Sequence, residues 1–361
     1  MGLDVEMPPP TFLTITEQVA EFLKGGVRRG RWGEQMPGTR ALCAELGVNQ
    51  KTVEAALQQL EQEGVLMNQG ARRARRICVA PVADGPKPLR IAILHHEMID
   101  QVLVHMVHLV HRLEDAGHEV TIAPKGLIEM RMDVRRVARV VRSMDADAWV
   151  VGSGSREVLE WFAAQPVPAF ALFGHRAGLP IAAAGPDKIA AYAEVARQFH
   201  QQGHRRIVLL ARKVRRVPEP AAPETAFLDE LRSLGHRVSA YNLPDWDDHQ
   251  EGFQRLLESL FKLTPPTALF VDEGFQLVAV MQFLAKRGIR VPEDISLACA
   301  EPGLSFAWCD PPVAHIRWDY RPVVTCVQRW ARGVGRGKPD LRQTLTRAEF
   351  LPGGTIGVAT G

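Results

Sequence analysis

Apolar residues recur at helical spacing along the first eighty positions. Ile15, Val19, Phe22 and Leu23 mark one amphipathic helix. Leu42 and Leu46, then Val53, Leu57 and Leu60, line one face of two adjoining shorter helices. Gly47 is placed to end the first of these two, because glycine takes the left-handed C-terminal position at least cost. Asn49 stands where a side-chain oxygen accepts a free backbone N–H of the second. After Gly64 the period shortens. Val65-Leu66-Met67 reads as a strand, Asn68-Gln69-Gly70 as a turn, and Ala71 to Val79 as a return segment.

The stretch from Ala80 to Pro88 holds three prolines and a glycine and predicts an extended spacer. Beyond it, short apolar runs alternate with helical periods. Leu89–Leu94 is a strand, followed by helical spacing from Val102 to Ala116 and a strand at Glu119–Ala123. The alternation continues as helix Val134–Ser143, strand Ala148–Val151, helix Glu157–Ala164 and strand Ala169–Phe173. A second series starts at Asp187, with helices at Ile189–Gln202, Ala226–Leu234, Gln250–Leu260 and Phe275–Arg287. Its strands are Arg206–Leu210, Arg237–Tyr241, Ala268–Val271 and Ser296–Cys299. Such alternation predicts an α/β fold with parallel sheets covered on both faces. Two consecutive series predict two lobes with a cleft suited to a small ligand.

The N-terminal pattern has the layout of a winged helix-turn-helix, which places one helix in the DNA major groove. Asn49, Gln50, Lys51 and Thr52 form the tip of that helix, where phosphate is attracted and base edges are within reach. Arg72, Arg73, Arg75 and Arg76 crowd the wing beside Gln69, a cationic tip fit for phosphates or a narrow minor groove. A solvated charge run is the ordinary reading of such a cluster, and the adjacent helices tip the balance toward DNA. With 361 residues and a net charge of +3, the chain has room for several domains, and its DNA affinity must come from local patches. Its five cysteines include no C-x-x-C pair, which argues for reduced cytoplasmic thiols. No apolar run is long enough for a bilayer span, and the opening segment lacks the pattern of a signal sequence.

The motifs Met36-Pro-Gly-Thr-Arg40, Leu46-Gly-Val-Asn49, Thr52-Val-Glu-Ala-Ala-Leu57 and Leu60-Glu-Gln-Glu-Gly64 resemble the GntR-type DNA-binding domain. The resemblance implies that Arg40 grips phosphate or base and that Asn49, Gln50, Lys51 and Thr52 read the groove. Gln50 and Glu54 stand where many members carry arginine, so an acidic Glu54 is expected to repel phosphate.

Farther on, Gly203-His-Arg-Arg-Ile207, Pro265-Pro-Thr-Ala-Leu-Phe-Val271 and Gly288-Ile-Arg-Val-Pro-Glu-Asp-Ile-Ser296 resemble landmarks of the LacI/GalR-type sensor. That sensor has the periplasmic-binding-protein fold. The combination is similar to arabinose-repressor-like regulators. It implies a GntR-type domain at 1–79, a linker at 80–88 and a ligand-sensing and dimerisation domain at 89–361. Lobe one is expected at about 89–185 plus 318–338, and lobe two at about 186–317 plus 339–361. The family's sugar-gripping arginine is missing at Pro223-Glu-Thr-Ala-Phe227, and the usual Asn-Asp is Glu273-Gly274. Glu273, Glu301, Trp318 and Tyr320 are therefore the candidate cleft residues, each with solvated carboxylate or packing aromatic as its plainer role. Two carboxylates suit a polyol, or a cation paired with the aromatics.

His105, His108 and His111 recur every third residue beside His95-His96-Glu97, but that step drifts around a helix, so no metal site is assigned. Gly152-Ser-Gly154 lacks the remaining glycine and the lysine of a nucleotide loop, and no nucleophile elbow is present. No catalytic site and no cofactor are expected. The expectation is a DNA-binding transcription regulator, read as a repressor with activation left open. Its operator affinity would follow a small effector, a sugar or related metabolite, between the sensor lobes. A homodimer would place two recognition helices on double-stranded operator DNA. The competing readings are a ligand-blind protein whose sensor serves only dimerisation, and an enzyme fused to a DNA-binding head.

Overall fold

The computed structural model describes residues 14–28, 31–70, 73–78, 86–303 and 305–359. Arg72, and residues 80–85 of the expected linker, lie outside them. The chain divides into two units, Met1–Pro88 and Leu89–Gly361.

In the first unit, α1 (Ile15–Arg28), α2 (Thr39–Leu46) and α3 (Gln50–Gln62) precede a hairpin of β1 (Leu66–Met67) and β2 (Arg76–Ile77). Gly47 ends α2 at φ 65°, donating its N–H to the Cys43 carbonyl. The Asn49 side chain caps α3 by accepting from the Thr52 amide at 2.9 Å. Leu66 pairs with Ile77 across the hairpin, and the Glu34–Met36 segment adds a third edge through Ile77 N–H to Glu34 and Met36 N–H to Arg75. Leu23, Leu42, Val53, Leu57 and Leu60 are wholly buried and form the core that fixes α3 against α1 and α2.

The second unit begins with β3 (Arg90–Leu94), α4 (Val104–Asp115), β4 (Glu119–Ile122), α5 (Val134–Ser143), β5 (Ala148–Gly152), α6 (Arg156–Ala163), β6 (Ala169–Leu172) and β7 (Ala182–Asp187). It continues with α7 (Ile189–Gln201), β8 (Ile207–Leu210), the single turn α8 (Lys213–Arg216), α9 (Ala222–Ser233), α10 (Gln250–Leu263), β9 (Ala268–Val271), α11 (Gly274–Lys286) and β10 (Ser296–Cys299). β11 (Ala314–Trp318), α12 (Arg321–Gly335) and β12 (Gln343–Leu351) close it.

The strand order is β4-β3-β5-β6-β7-β12-β11-β10-β9-β8, parallel throughout except where β12 meets β11. Both sheet faces are covered, which explains the near-continuous apolar strands. In lobe two, for example, Ile207 and Leu209 face one core and Val208 and Leu210 the other.

β12 joins the lobes. Its first half, Gln343 to Arg347, pairs with β7, and its second half, Ala348 to Leu351, pairs with β11. The crossover therefore falls within β12, not at 339 as expected, because one strand is long enough to complete both sheets. Since β12 runs parallel to β7 and antiparallel to β11, the carboxyl ends of the two strand sets face each other.

The expected strand at Arg237–Tyr241 does not form. Asn242 completes the β8 edge instead, accepting from Leu209 N–H through its carbonyl and donating Nδ2 to the Ile207 carbonyl, both at 2.9 Å. One buried amide thus satisfies the edge that a strand would have covered.

Candidate functional site: nucleic-acid interface and interlobe cleft

Capping α3 occupies Asn49 Oδ1 twice, with the Thr52 amide and the Thr52 hydroxyl. That leaves Gln50 and Lys51 exposed at the helix tip, where the N-terminal dipole favours phosphate. Arg40, Gln69, Arg73 and Arg76 are exposed as well.

Arg75 departs from the expected outward wing. Its guanidinium turns onto α3 and pairs with both Glu54 and Glu61. The Thr39 hydroxyl also donates to Glu54, at 3.0 Å. The Arg75 hydrogen bond holds the Glu54 carboxyl below its ordinary range. The acid that was expected to repel phosphate is thus engaged by the wing, and Arg75 acts as a strut between hairpin and recognition helix.

In the second unit, the ends of β7 and β11 meet at the middle of β12, where Asp187 pairs with Arg347 and Trp318 with Ala348. The residues just past the strands therefore converge on the cleft, as open α/β folds require. Arg212 follows β8 and reaches across it, binding Glu97 beyond β3 at 2.9 Å and Asp248 of its own lobe at 2.7 Å. Its guanidinium also lies 5.5 Å from the Phe275 ring centroid. Lys188, just after β7, donates to Glu301 beyond β10 at 2.6 Å. Arg215 binds the wholly buried Glu224 at 2.9 Å. Asp272 accepts from the Tyr192 hydroxyl at 3.3 Å and from the Arg212 amide at 3.2 Å. Burial holds the imidazoles of His96 and His105 below their ordinary value. Two non-glycine residues beside the cleft, Ser153 (φ 45°) and Phe173 (φ 65°), occupy the left-handed region, a strain that recurs at ligand sites.

Of the four residues singled out from sequence, Glu273 occupies the N-cap position of α11 after β9, its side chain making no cap hydrogen bond, and Glu301 holds Lys188. Trp318 is buried at the end of β11, edge-on to Phe173 and tilted against His105. Tyr320 packs edge-on against His108 of α4 and against the lobe-one core. Where the start of α9 carries no arginine, Arg212 just past β8 and Arg215 of α8 bring guanidinium groups to the same side of the lobe. The run Arg212-Lys-Val-Arg-Arg216 directly following a strand was the signal that could have located them.

The Glu273 carboxyl makes no hydrogen bond or ion pair among the described residues; its backbone carbonyl accepts from the Leu277 amide at 3.0 Å. Burial first, then Asp272 and Glu301, push its carboxyl well above the ordinary value. A carboxyl with a raised folded-state pKa contributes its full stability below the unfolded value of 4.5, and loses it as pH rises toward the folded value. Glu273→Gln removes that loss. The melting temperature of the variant should exceed wild type by more at pH 8 than at pH 5. A gain that shrinks with rising pH would show that Glu273 is ionised and satisfied.

Among the described residues no cluster of three or more His, Cys, Asp or Glu is arranged to hold a metal ion. His105 and His108 are instead engaged with aromatic rings. No helix of the described residues is long and apolar enough to cross a membrane.

Two family models match the chain: bacterial regulatory proteins of the gntR family over residues 15–75, and a periplasmic binding protein-like domain over residues 196–346. The HTH-type transcriptional repressor CytR of Escherichia coli K12 is 25% identical over 131 residues, which is 36% of this chain and 38% of that protein. The match thus spans well under half the length of this relative. A LacI family transcriptional regulator from Enterococcus faecium with bound ribose superposes at TM-score 0.60 with 14% identity, covering 75% of this chain and all of that one. The CelR–cellobiose complex also gives 0.60 at 14% identity, covering 89% of this chain and all of that one. These superpositions establish a shared fold.

Proposed function

The chain joins a gntR-family helix-turn-helix head to a periplasmic-binding-protein-like body, and from that premise we propose that it is a sequence-specific transcription repressor controlled by a small ligand. The observation that carries this reading is the pairing of two features. A helix tip presents exposed Gln50 and Lys51 beside exposed wing arginines. The separate body gathers charged groups from both lobes at its strand ends. Relatives of this fold with bound ribose or cellobiose support a sugar or related metabolite as effector. The output is binding to DNA, not catalysis, in the cytoplasm, in keeping with the free thiols of all five cysteines.

A homodimer suits the surface of the body. Val102, Leu103, Val104 and Val107 are exposed on lobe one, and Phe275, Val278 and Met281 recur at helical spacing along exposed α11 on lobe two. Apolar stripes of this kind mark association surfaces. A two-fold pair would set two α3 tips on half-sites one or more helical turns apart. Ligand would act through its differential affinity for open and closed lobes. A second reading, a sensor kept only for dimerisation, is favoured by the ion pairs that already cross the cleft; a ligand that alters operator affinity would exclude it.

The test is operator binding over a salt series. Arg73→Ala with Arg76→Ala should weaken binding equally for all sequences and flatten the salt slope by about 2, one unit per lost phosphate contact. Lys51→Ala at the helix tip should weaken binding as well. A footprint without paired half-sites, or a double variant with the wild-type slope, would contradict the proposal.

A further inference from the structure

Arg176 stands apart from the other cleft cations. Arg212, Arg215 and Lys188 each have a carboxylate partner within 3 Å. Arg176, in the loop after β6, has no ion pair among the described residues. Its backbone is bonded within the loop, but among the described residues its guanidinium makes one hydrogen bond, a long one of 3.4 Å from Nη1 to the Gly174 carbonyl. Both terminal nitrogens lie close to Gly185 of β7, where a Cβ would sit 3.1 Å from Nη2 and 3.3 Å from Nη1. Glycine at 185 thus leaves room for the fork beside Phe173, whose ring approaches the same point. The neighbouring His175 has Nε2 buried without a hydrogen bond of good geometry, its ring engaging the Val214 backbone.

Charge from the other lobe reinforces the position. Arg215 lies close enough to repel both Arg176 and His175. The carboxylates in the vicinity are Asp187, Glu157 and Glu224. Asp187 accepts from the Ile189 amide and makes no ion pair with Arg176. Glu157 faces His175, and Glu224 is committed to Arg215. Burial, and then Arg215, lower the Arg176 pKa, and the opposing pull of Asp187, which forms no ion pair with it, does not offset them. Enclosing a guanidinium without a counter-ion is costly, and a planar fork is best matched by phosphate or carboxylate oxygens.

We propose that Arg176, with His175 beside it and Arg215 facing it from the second lobe, receives an anionic group of the effector, a phosphate or a carboxylate. This inference rests on the ligand-binding reading of the cleft and narrows it to acidic ligands such as sugar phosphates or sugar acids. An anion there would draw Arg215 and Arg176 together, so its binding would favour lobe closure.

The experiment uses the full chain in calorimetric titrations with inorganic phosphate, glucose 6-phosphate, gluconate and glucose, in parallel with operator binding. Glucose 6-phosphate or gluconate should bind at least tenfold more tightly than glucose, and the better of the two identifies phosphate or carboxylate. Arg176→Gln should weaken that binding roughly 10- to 100-fold, the worth of a charge-assisted pair. Its melting temperature should not fall, because an unpaired cation is removed. Arg176→Lys should recover part of the affinity through charge alone. Glucose binding as tightly as the anions, or Arg176→Gln leaving anion affinity unchanged, would overturn the inference. A response of operator binding to glucose would leave the sensor function standing. No binding by any of the four would overturn the anion site, and intact operator binding would then point to the dimerisation-only sensor.

Discussion

Arg212→Ala should destabilise the body by about 3–5 kcal/mol, the range for breaking a buried ion pair from one side. The magnitude follows from what stays behind. The Arg212 side chain is 6% exposed and Asp248 10%, while Glu97 is 27% exposed. Burial works against the guanidinium charge, but Asp248 and then Glu97 outweigh it and hold the group above its ordinary value. Without Arg212, Asp248 remains enclosed with the field of Glu97 nearby and loses its ion pair, keeping the Lys213 amide and the more distant charge of Arg216. Removing a partly hydrated member of the same triad should be milder, so Glu97→Gln is expected to cost about 1 kcal/mol or less. Urea unfolding measures both, as a change in midpoint at constant m. Equal costs for the two variants would place the weight on the exposed contact and refute this account. Function should follow the same order. Arg212 is the covalent continuation of β8 and grips a residue beyond β3, so its loss frees the lobes to separate. Ligand that binds between them must then supply the closure energy itself.

The elements that were legible share one property: their local pattern and their packing agree. Val134 to Ser143 carries a helical period capped by Asp133, and the helix spans those residues. The apolar runs at Ala268–Val271 and Ser296–Cys299 are strands with the predicted ends. β7 escaped notice because Ala-Ala-Ala-Gly-Pro-Asp has little strand propensity; pairing with β6 and β12 holds it extended. Arg237–Tyr241 shows the reverse case, a strand-like stretch displaced by the Asn242 amide. The recognition tip could be read from spacing because helix caps and turns are local. The cleft could not. Glu97 and Arg212 are 115 positions apart, as Lys188 and Glu301 are 113, and only the facing of two strand sets brings them together. The inward turn of Arg75 was hidden for a related reason, since an arginine run alone does not show which member finds two carboxylates on the neighbouring helix.

Leu57→Ala should abolish operator binding while leaving the body folded. Leu57 is wholly buried, in one cluster with Leu23, Leu42, Val53 and Leu60. Truncating a buried leucine costs about 2–5 kcal/mol, from lost transfer energy and the cavity left behind. A unit as small as this head buries a limited share of its surface and has only a few kcal/mol to lose. Leu57 also lies on α3, so partial collapse into the cavity would tilt the helix that carries Gln50 and Lys51. The four cores of the second unit contain none of the head's buried residues. Hydrogen exchange read by mass spectrometry should therefore show amides of α1–α3 losing protection while β3 to β12 keep theirs. Leu57→Met, which nearly conserves volume, should cost less than about 1.5 kcal/mol and retain DNA binding. If Leu57→Ala left the α3 amides protected and operator affinity intact, this cluster would not be what orients the recognition helix.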